Sequence, residues 1–342
     1  MSAQTHMRRE ILEIPAAVDA LLTKGASSIE AAANALRAAD PLFMISVARG
    51  SSDHAATYFK YACELVAGIP VASVGPSVSS IYDRELSLSR CACLAVSQSG
   101  KSPDIVRLAM MATSQSALSI ALTNHTDSDL ARGSTHTIDL HAGAELSVAA
   151  TKTFVTSAVS AIWLLAEWQK DTILLQALHA LPEMLEHATQ MDWGALGAEI
   201  TSRQSLFCLG RGPVLAISNE AALKFKETCQ LHAESYSSAE VLHGPVSIVD
   251  QEFPVLALTA ADQAETSLVE VADQIAGKGA SVFVTSDQAT HAASLTCVRT
   301  AHPLLDPISL IVSFYAMVEQ VALSRGINPD EPRHLKKVTE TI

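Results

Sequence analysis

Positive charge is scarce in this chain. Its 342 residues carry 23 Lys and Arg against 36 Asp and Glu, a formal charge of −13. Nucleic acid and anionic membranes both need a basic face, so neither is expected as a partner. An anionic ligand would have to be held by local donors rather than by the field of the whole protein. Charge of either sign is thin, at 17% against 49% apolar residues, which leaves ample core for one large or two medium domains. The six cysteines, at 63, 91, 93, 208, 229 and 297, contain no CxxC pair and sit in apolar runs. Buried free thiols in a reducing, cytoplasmic setting are expected, not metal ligands. No apolar run reaches about 18 residues, so no membrane span is expected. Residues 1–10 carry both charge signs and no apolar core, so no signal peptide is expected.

What the chain does have is a hydroxyl-rich turn, Ser97-Gln98-Ser99-Gly100-Lys101-Ser102. The apolar run 91–96 before it reads as a strand, and the pattern after it, through Ile105, Val106, Leu108 and Ala109, reads as a helix. A strand-to-helix turn leaves backbone N–H groups unpaired at the positive end of a helix dipole, and serine hydroxyls add donors. A phosphate, which accepts from many directions, suits such a turn better than a carboxylate. An ordinary polar loop with Ser99 or Ser102 as N-cap remains open at this point.

In chain order, residues 1–40 form a helical segment. The run 42–48 is a strand that ends in Arg49-Gly50-Ser51-Ser52, and a helix follows from His54. Further strands are expected at 70–74, 91–96, 117–123 and 136–140, then a long helix from Ala150 to Trp168. Strands alternating with helices imply right-handed crossovers and a parallel, doubly wound sheet. Ligands then sit at strand carboxyl ends, where both polar turns lie. The pattern repeats about 160 residues later: Ser205 to Gly212 mirrors 42–50, 254–259 mirrors the strand before the serine turn, 281–286 mirrors 117–123, and 297–301 mirrors 136–140. The fold class is therefore α/β, with two tandem five-stranded parallel, flavodoxin-like units at 41–170 and 190–325 and an extended tail at 326–342. The second copy has Thr259-Ala260-Ala261-Asp262 where the first has its serines, so one phosphate site per chain is expected, in the first half.

Taken together, RGSS at 49–52, the serine turn, ELSVAATK at 145–152, EAALKFKE at 220–227, HAESY at 232–236, EVLHGP at 240–245 and DEPRHLKKVT at 330–339 resemble the sugar-isomerase (SIS) family. More narrowly, they resemble the isomerase half of glucosamine–fructose-6-phosphate aminotransferases. By position the resemblance implies that Ser97, Gln98, Ser99 and Ser102 bind a sugar 6-phosphate and that Ser51 and Ser52 touch the substrate. Val148 and Ala149 would offer backbone groups to sugar hydroxyls. Glu227 would move the proton between C1 and C2, with Lys224 a further active-site lysine. His243 would open the sugar ring of a neighbouring subunit in a homodimer. Lys337 would be the tail lysine able to form a Schiff base. Ala150 and Lys101 depart from the aminotransferase pattern, which has Ser and Glu there. Residues 1–40 are too short for the glutaminase domain of those enzymes, and the first cysteine, Cys63, lies in a helix. The expected activity is therefore the reverse reaction, a glucosamine-6-phosphate deaminase that releases ammonia. Its sister readings are a fructosamine-6-phosphate deglycase, a galactosamine-6-phosphate deaminase/isomerase, and a non-catalytic sugar-phosphate binder.

The chemistry asks for these residue types. Ring opening suits a neutral imidazole, and a carboxylate at partly apolar depth suits the C2-to-C1 transfer. A desolvated amine or a cationic lid suits the imine step, and a phosphate anchor fixes the reacting carbons. Alone, Lys224 and Glu227 read equally as a surface ion pair, and His243 as a surface-loop histidine. Glu145, Lys152, His232 and Glu234 read as bracing charges. His54, His136 and His141 lack ligand-like spacing, and neither metal nor organic cofactor is expected. The partner is a phosphorylated amino sugar.

Overall fold

A computed structural model describes residues 4–337. By its contacts the chain forms two compact units, one of Ala16–Glu145, Lys152–His179 and the tail residues 336–337, the other of residues 4–15, Leu146–Thr151 and Ala180–Leu335.

The first unit is built on β1 (Phe43–Val47), β2 (Val71–Ser73), β3 (Cys91–Val96), β4 (Leu118–Thr123) and β5 (His136–Asp139). All are parallel, in the order β2-β1-β3-β4-β5. The central strand β3, Cys-Ala-Cys-Leu-Ala-Val, is buried at every position, as a strand covered by helices on both faces must be. The helix Pro103–Ser114 puts Ile105, Leu108, Ala109 and Ala112 against Ile45, Cys93, Ala95 and Ala121 of the sheet. The helix Lys152–Gln169 is buried almost all round and packs against the helices Ala26–Ala39 and Ser51–Val66, which is why its sequence shows no clean polar face.

The second unit repeats the plan with β6 (Ser205–Gly210), β7 (His232–Ser237), β8 (Pro254–Ala257), β9 (Ser281–Val284) and β10 (Ala293–Ser294). The order β10-β9-β8-β6-β7 is the first sheet's order read from the other edge. The strand expected at 297–301 does not form; the last strand is the two-residue β10 beside β9. The backbone of 298–300 is spent on side chains instead. Thr300 N–H donates to Asp306 (2.7 Å) and Val298 C=O accepts from the Ser309 hydroxyl (2.6 Å), so those groups cannot join a ladder. Helix Asp306–Ser324 forms the floor of this unit, with Ile308, Leu310, Ile311, Phe314 and Val318 fully buried. By length and composition the segment Pro303–Ser324 could cross a membrane, yet 83% of its apolar 18-residue window is buried in the fold. The first helix, His6–Leu12, belongs to this unit: the Asp330 carboxylate accepts from the N–H groups of His6 and Met7 (2.7 and 2.8 Å), and Arg8 pairs with Glu319 at 2.7 Å.

Candidate active site

In each sheet the order reverses between the first and third strands of its copy, where doubly wound folds place ligands. In the first unit the β3 turn is the serine stretch. Ser97 is buried and its hydroxyl oxygen accepts the Gly100 N–H at 3.2 Å, while the Ser99 hydroxyl accepts the Lys101 N–H at 3.3 Å. Both hydroxyl protons are thereby left to donate outward. Ser102 precedes the helix Pro103–Ser114 in extended backbone, and its side chain makes no capping bond. Among the described residues, the N–H groups of Gln98 and Ser99 make no hydrogen bond. The turn thus holds free donors at a helix N-terminus. Gly100 makes it possible: its φ is +61°, and a Cβ there would lie 2.1 Å from Ser128 Oγ.

The neighbouring β1 turn is tied to the same helix. Arg49 donates twice to Asp104, at 2.8 and 3.0 Å, and Asp104 is fully buried. Ser51 and Ser52, half-buried, open the helix Ser51–Val66 behind Gly50, which has a φ of +55° and supplies no side-chain cap. Sequence reasoning missed Asp104; its signal was an acid in the first turn after Pro103, where it faces a helix dipole. Also in this unit, Lys337 Nζ lies 2.7 Å from Glu145, whose side chain is fully buried and also accepts from Thr153 N–H (3.0 Å) and Thr153 Oγ1 (2.7 Å). Burial alone would raise the Glu145 pKa. The Lys337 charge and the hydrogen bonds from Lys337 and Thr153 outweigh it and hold the carboxyl below its ordinary range.

The other residues singled out from the sequence lie in the second unit. Lys224 and Glu227 project from helix Val214–Cys229 and form an ion pair, as expected, but not at the surface: Lys224 is fully buried and the Glu227 side chain is 20% exposed. A third member, Glu220, was not foreseen. It lies 3.3 Å from Lys224 Nζ and accepts from Tyr315 Oη at 3.0 Å. Its signal was the spacing i, i+4, i+7 in EAALKFKE, which puts all three on one helix face. Burial works against the Lys224 charge, but Glu220 and Glu227 outweigh it and raise its pKa. One lysine between two carboxylates holds them by charge without neutralising both. His243 ends the 3-10 turn Glu240–His243 and is exposed, beside the exposed Leu242 (38%) and Ile248 (55%). The structure shows no hydrogen bond between it and Glu227 among the described residues. The Val148 N–H donates to the Asp330 carbonyl at 3.3 Å, and Ala149 is buried.

The β8 turn of the second copy is filled from within. The Ala261 N–H donates to Asp306 at 2.9 Å, and Arg299 binds the carbonyls of Thr259 (2.7 Å) and Thr285 (2.8 Å) and the Glu265 carboxylate (2.9 Å). Burial, with Asp306 and Glu265 adding to it, pushes the Asp262 pKa up. Among the described residues, no group of three or more His, Cys, Asp or Glu is arranged to hold a metal ion.

Two parallel five-stranded sheets with the same strand order, one carrying an open hydroxyl-lined turn, define a tandem α/β ligand-binding protein. The chain belongs to the SIS domain family, whose pattern matches residues 35–167 and 199–324, one stretch in each copy. It is 30% identical over 295 residues to the isomerizing glutamine–fructose-6-phosphate aminotransferase of Sulfolobus acidocaldarius, covering 86% of this chain and 49% of that protein. The chain spans about half the length of the curated relatives it matches. Among solved structures, a candidate phosphosugar isomerase of Silicibacter pomeroyi superposes with a TM-score of 0.93 at 61% identity, covering 96% of this chain and 100% of that one. A glucosamine-6-phosphate deaminase of Thermotoga maritima shares the fold, with a TM-score of 0.71 at 21% identity over 93% of this chain and all of that one.

Proposed function

We propose that this protein is a phosphosugar isomerase that works on an amino sugar, converting glucosamine 6-phosphate and water to fructose 6-phosphate and ammonia. The phosphate is taken by the hydroxyls of Ser97, Ser99 and Ser102, the Gln98 side chain and the free N–H groups of the turn, with Ser51 and Ser52 beside them in role. His243 shuttles the proton that opens the pyranose ring. Glu227 takes the C2 proton and returns it to C1, turning the amino aldose into a C2 imine. Water adds to that imine and ammonia leaves. Lys224, charged and fully buried, fixes the Glu227 carboxylate. Val148 and Ala149 offer backbone groups to the sugar hydroxyls, and Lys337 contributes the tail amine.

The observation that carries this reading is the Lys224–Glu227 pair. A buried lysine that holds a part-exposed carboxylate is an expensive arrangement for a surface ion pair to adopt, and it suits a base that must be held in place. The kinship to sugar-phosphate isomerases and to a deaminase of the same fold supports the substrate class. The exposed His243, set between Leu242 and Ile248, supports a homodimer in which each histidine serves the neighbouring chain.

The test is incubation of the purified chain with glucosamine 6-phosphate, with ammonia and fructose 6-phosphate read by coupled assays. Turnover that Glu227→Gln abolishes is expected; equal silence from wild type and variant rejects the reading. Galactosamine 6-phosphate and fructosamine 6-phosphates run in parallel separate the epimer and deglycase readings. Tight binding without turnover on the whole panel would identify a sensor. Mixed His243→Ala and Ser97→Ala chains should regain activity if the histidine is shared, and failure to complement would place a complete site in each chain.

A further inference from the structure

The charge cluster at the end of the first unit was expected only to brace the fold. Its geometry says more. Glu145 has no exposed side-chain surface, yet its carboxylate meets the only described part of the C-terminal tail that belongs to this unit. It also accepts from the N–H and hydroxyl of Thr153, in the first turn of the helix Lys152–Gln169. A carboxylate at a helix N-terminus is stabilised by the dipole and by the N–H it accepts. The Glu145 charge is therefore supported from inside the unit before the tail arrives. Lys337, one quarter exposed, supplies the counter-charge from outside. A carboxylate already held by the Thr153 N–H and hydroxyl keeps its place when the lysine is off, which suits a reusable dock better than a permanent strut.

We propose that Glu145 is a positioning residue: a preformed dock that holds the Lys337 ammonium and with it the end of the chain. It fixes where the tail amine waits between turnovers. The kinetic part of this inference rests on the function proposed above, whereas the docking itself does not.

The experiment reads the tail directly. Limited trypsin digestion with intact-mass analysis follows cleavage after Lys336, an exposed residue next to the docked lysine. Glu145→Gln and Lys337→Met should each speed that cleavage about fivefold, the worth of a part-exposed ion pair at its upper end. The double variant should be no faster than either single one, because both remove the same contact. Additive effects, or no acceleration, overturn the dock. Should Glu145→Gln fail to fold by circular dichroism, Lys337→Met against Lys337→Arg decides, since only the arginine keeps the cation and should keep the protection. With glucosamine 6-phosphate, Glu145→Gln should lower kcat by about fivefold with KM little changed, because the phosphate anchor is untouched. A change in KM alone would point to a structural role. A wild-type enzyme inactive on every amino-sugar phosphate would reject the proposed function, while the digestion would still decide the dock.

Discussion

Two glycines of the first unit share a positive φ but not an environment, and the contrast tests what shapes the serine turn. Gly50 and Gly100 have φ of +55° and +61°. Nothing lies within 4 Å of a Cβ built on Gly50, whereas one built on Gly100 would meet Ser128 Oγ at 2.1 Å and Ser128 Cβ at 2.5 Å. The Cβ cannot swing aside as a side-chain tip could, and Ser128 is itself held because its hydroxyl caps the helix Asp129–Gly133 through Ala131 N–H. Gly50→Ala should therefore cost only the backbone term of its positive φ, paired there with a ψ of −134°, about 1–3 kcal/mol. Gly100→Ala adds, on a backbone term of the same order, overpacking of about 1–3 kcal/mol and a disturbed cap of about 1 kcal/mol. Urea denaturation of both variants at equal slope reads the difference, expected at about 2–4 kcal/mol. Gly100→Ala should also raise KM for the sugar phosphate more than it lowers kcat, since the turn must open to admit the methyl. If the two variants agree within about 1 kcal/mol, close approach to Ser128 does not shape the turn, and its form needs another explanation.

Three further perturbations follow from the buried charges. Lys224→Met should destabilise the second unit by about 3–5 kcal/mol, because Glu220 loses its buried counter-charge; a loss under about 1 kcal/mol by denaturation would mean that water reaches the cluster. The raised Lys224 pKa stabilises the fold fully below the ordinary lysine value of 10.5, and that stability is lost as pH rises through the higher folded value. An alkaline fall in melting temperature should be present in wild type and shallower in Lys224→Met. Glu145 acts at the other end: its lowered pKa gives stability that is present above 4.5 and lost as pH falls through the lower folded value. Glu145→Gln should flatten that acid limb, and an unchanged limb refutes the assignment. Burial pushes the thiols of Cys63 and Cys93 up to about 12 and those of Cys91 and Cys229 to about 11. Iodoacetamide at pH 8 should therefore label them only after denaturant is added, as mass spectrometry would show.

Much of the fold is legible in the sequence because parallel strands covered on both faces read as unbroken apolar runs. The strands at 43–47, 91–96 and 118–123 could hardly be anything else. The failure at 297–301 has a definite cause. Its apolar and polar residues resemble a strand, but Arg299 and Thr300 are committed to Thr259, Thr285, Glu265 and Asp306, and contacts of that range leave no periodicity. The strand at 232–237 was met only as a motif, since His-Ala-Glu-Ser-Tyr-Ser is polar enough to pass for a loop; it lies at the sheet edge beside β6, where polar residues are tolerated. The candidate site is read as residue types in turns. Its second layer is not, because Glu220, Asp104 and Glu145 matter through what they hold, and a partner 192 positions away, as Lys337 is from Glu145, has no signature along the chain.

The two copies share a strand order and differ in what fills the turn after the third strand. In the first, among the described residues, the N–H groups of Gln98 and Ser99 make no hydrogen bond, and the Ser97 and Ser99 hydroxyls accept N–H bonds and keep their protons to donate. In the second, Asp306 accepts from Ala261 N–H, Thr300 N–H and the Thr300 hydroxyl, and Arg299 Nη1 lies 3.5 Å away. That carboxylate is the anion of the second turn, supplied by the chain itself from the start of the helix Asp306–Ser324. A group anchored by its own backbone competes at high effective concentration with any free anion, which disfavours an anionic ligand at the second turn although its architecture is the same. The chain's net charge of −13 sharpens the contrast. With no global field to draw an anion in, only donors left unsatisfied can bind one, and among the two turns those are the donors around Ser97, Ser99 and Ser102. Duplication supplied two equivalent cradles, and one tethered carboxylate is the difference that fits the expectation of a single phosphate site per chain.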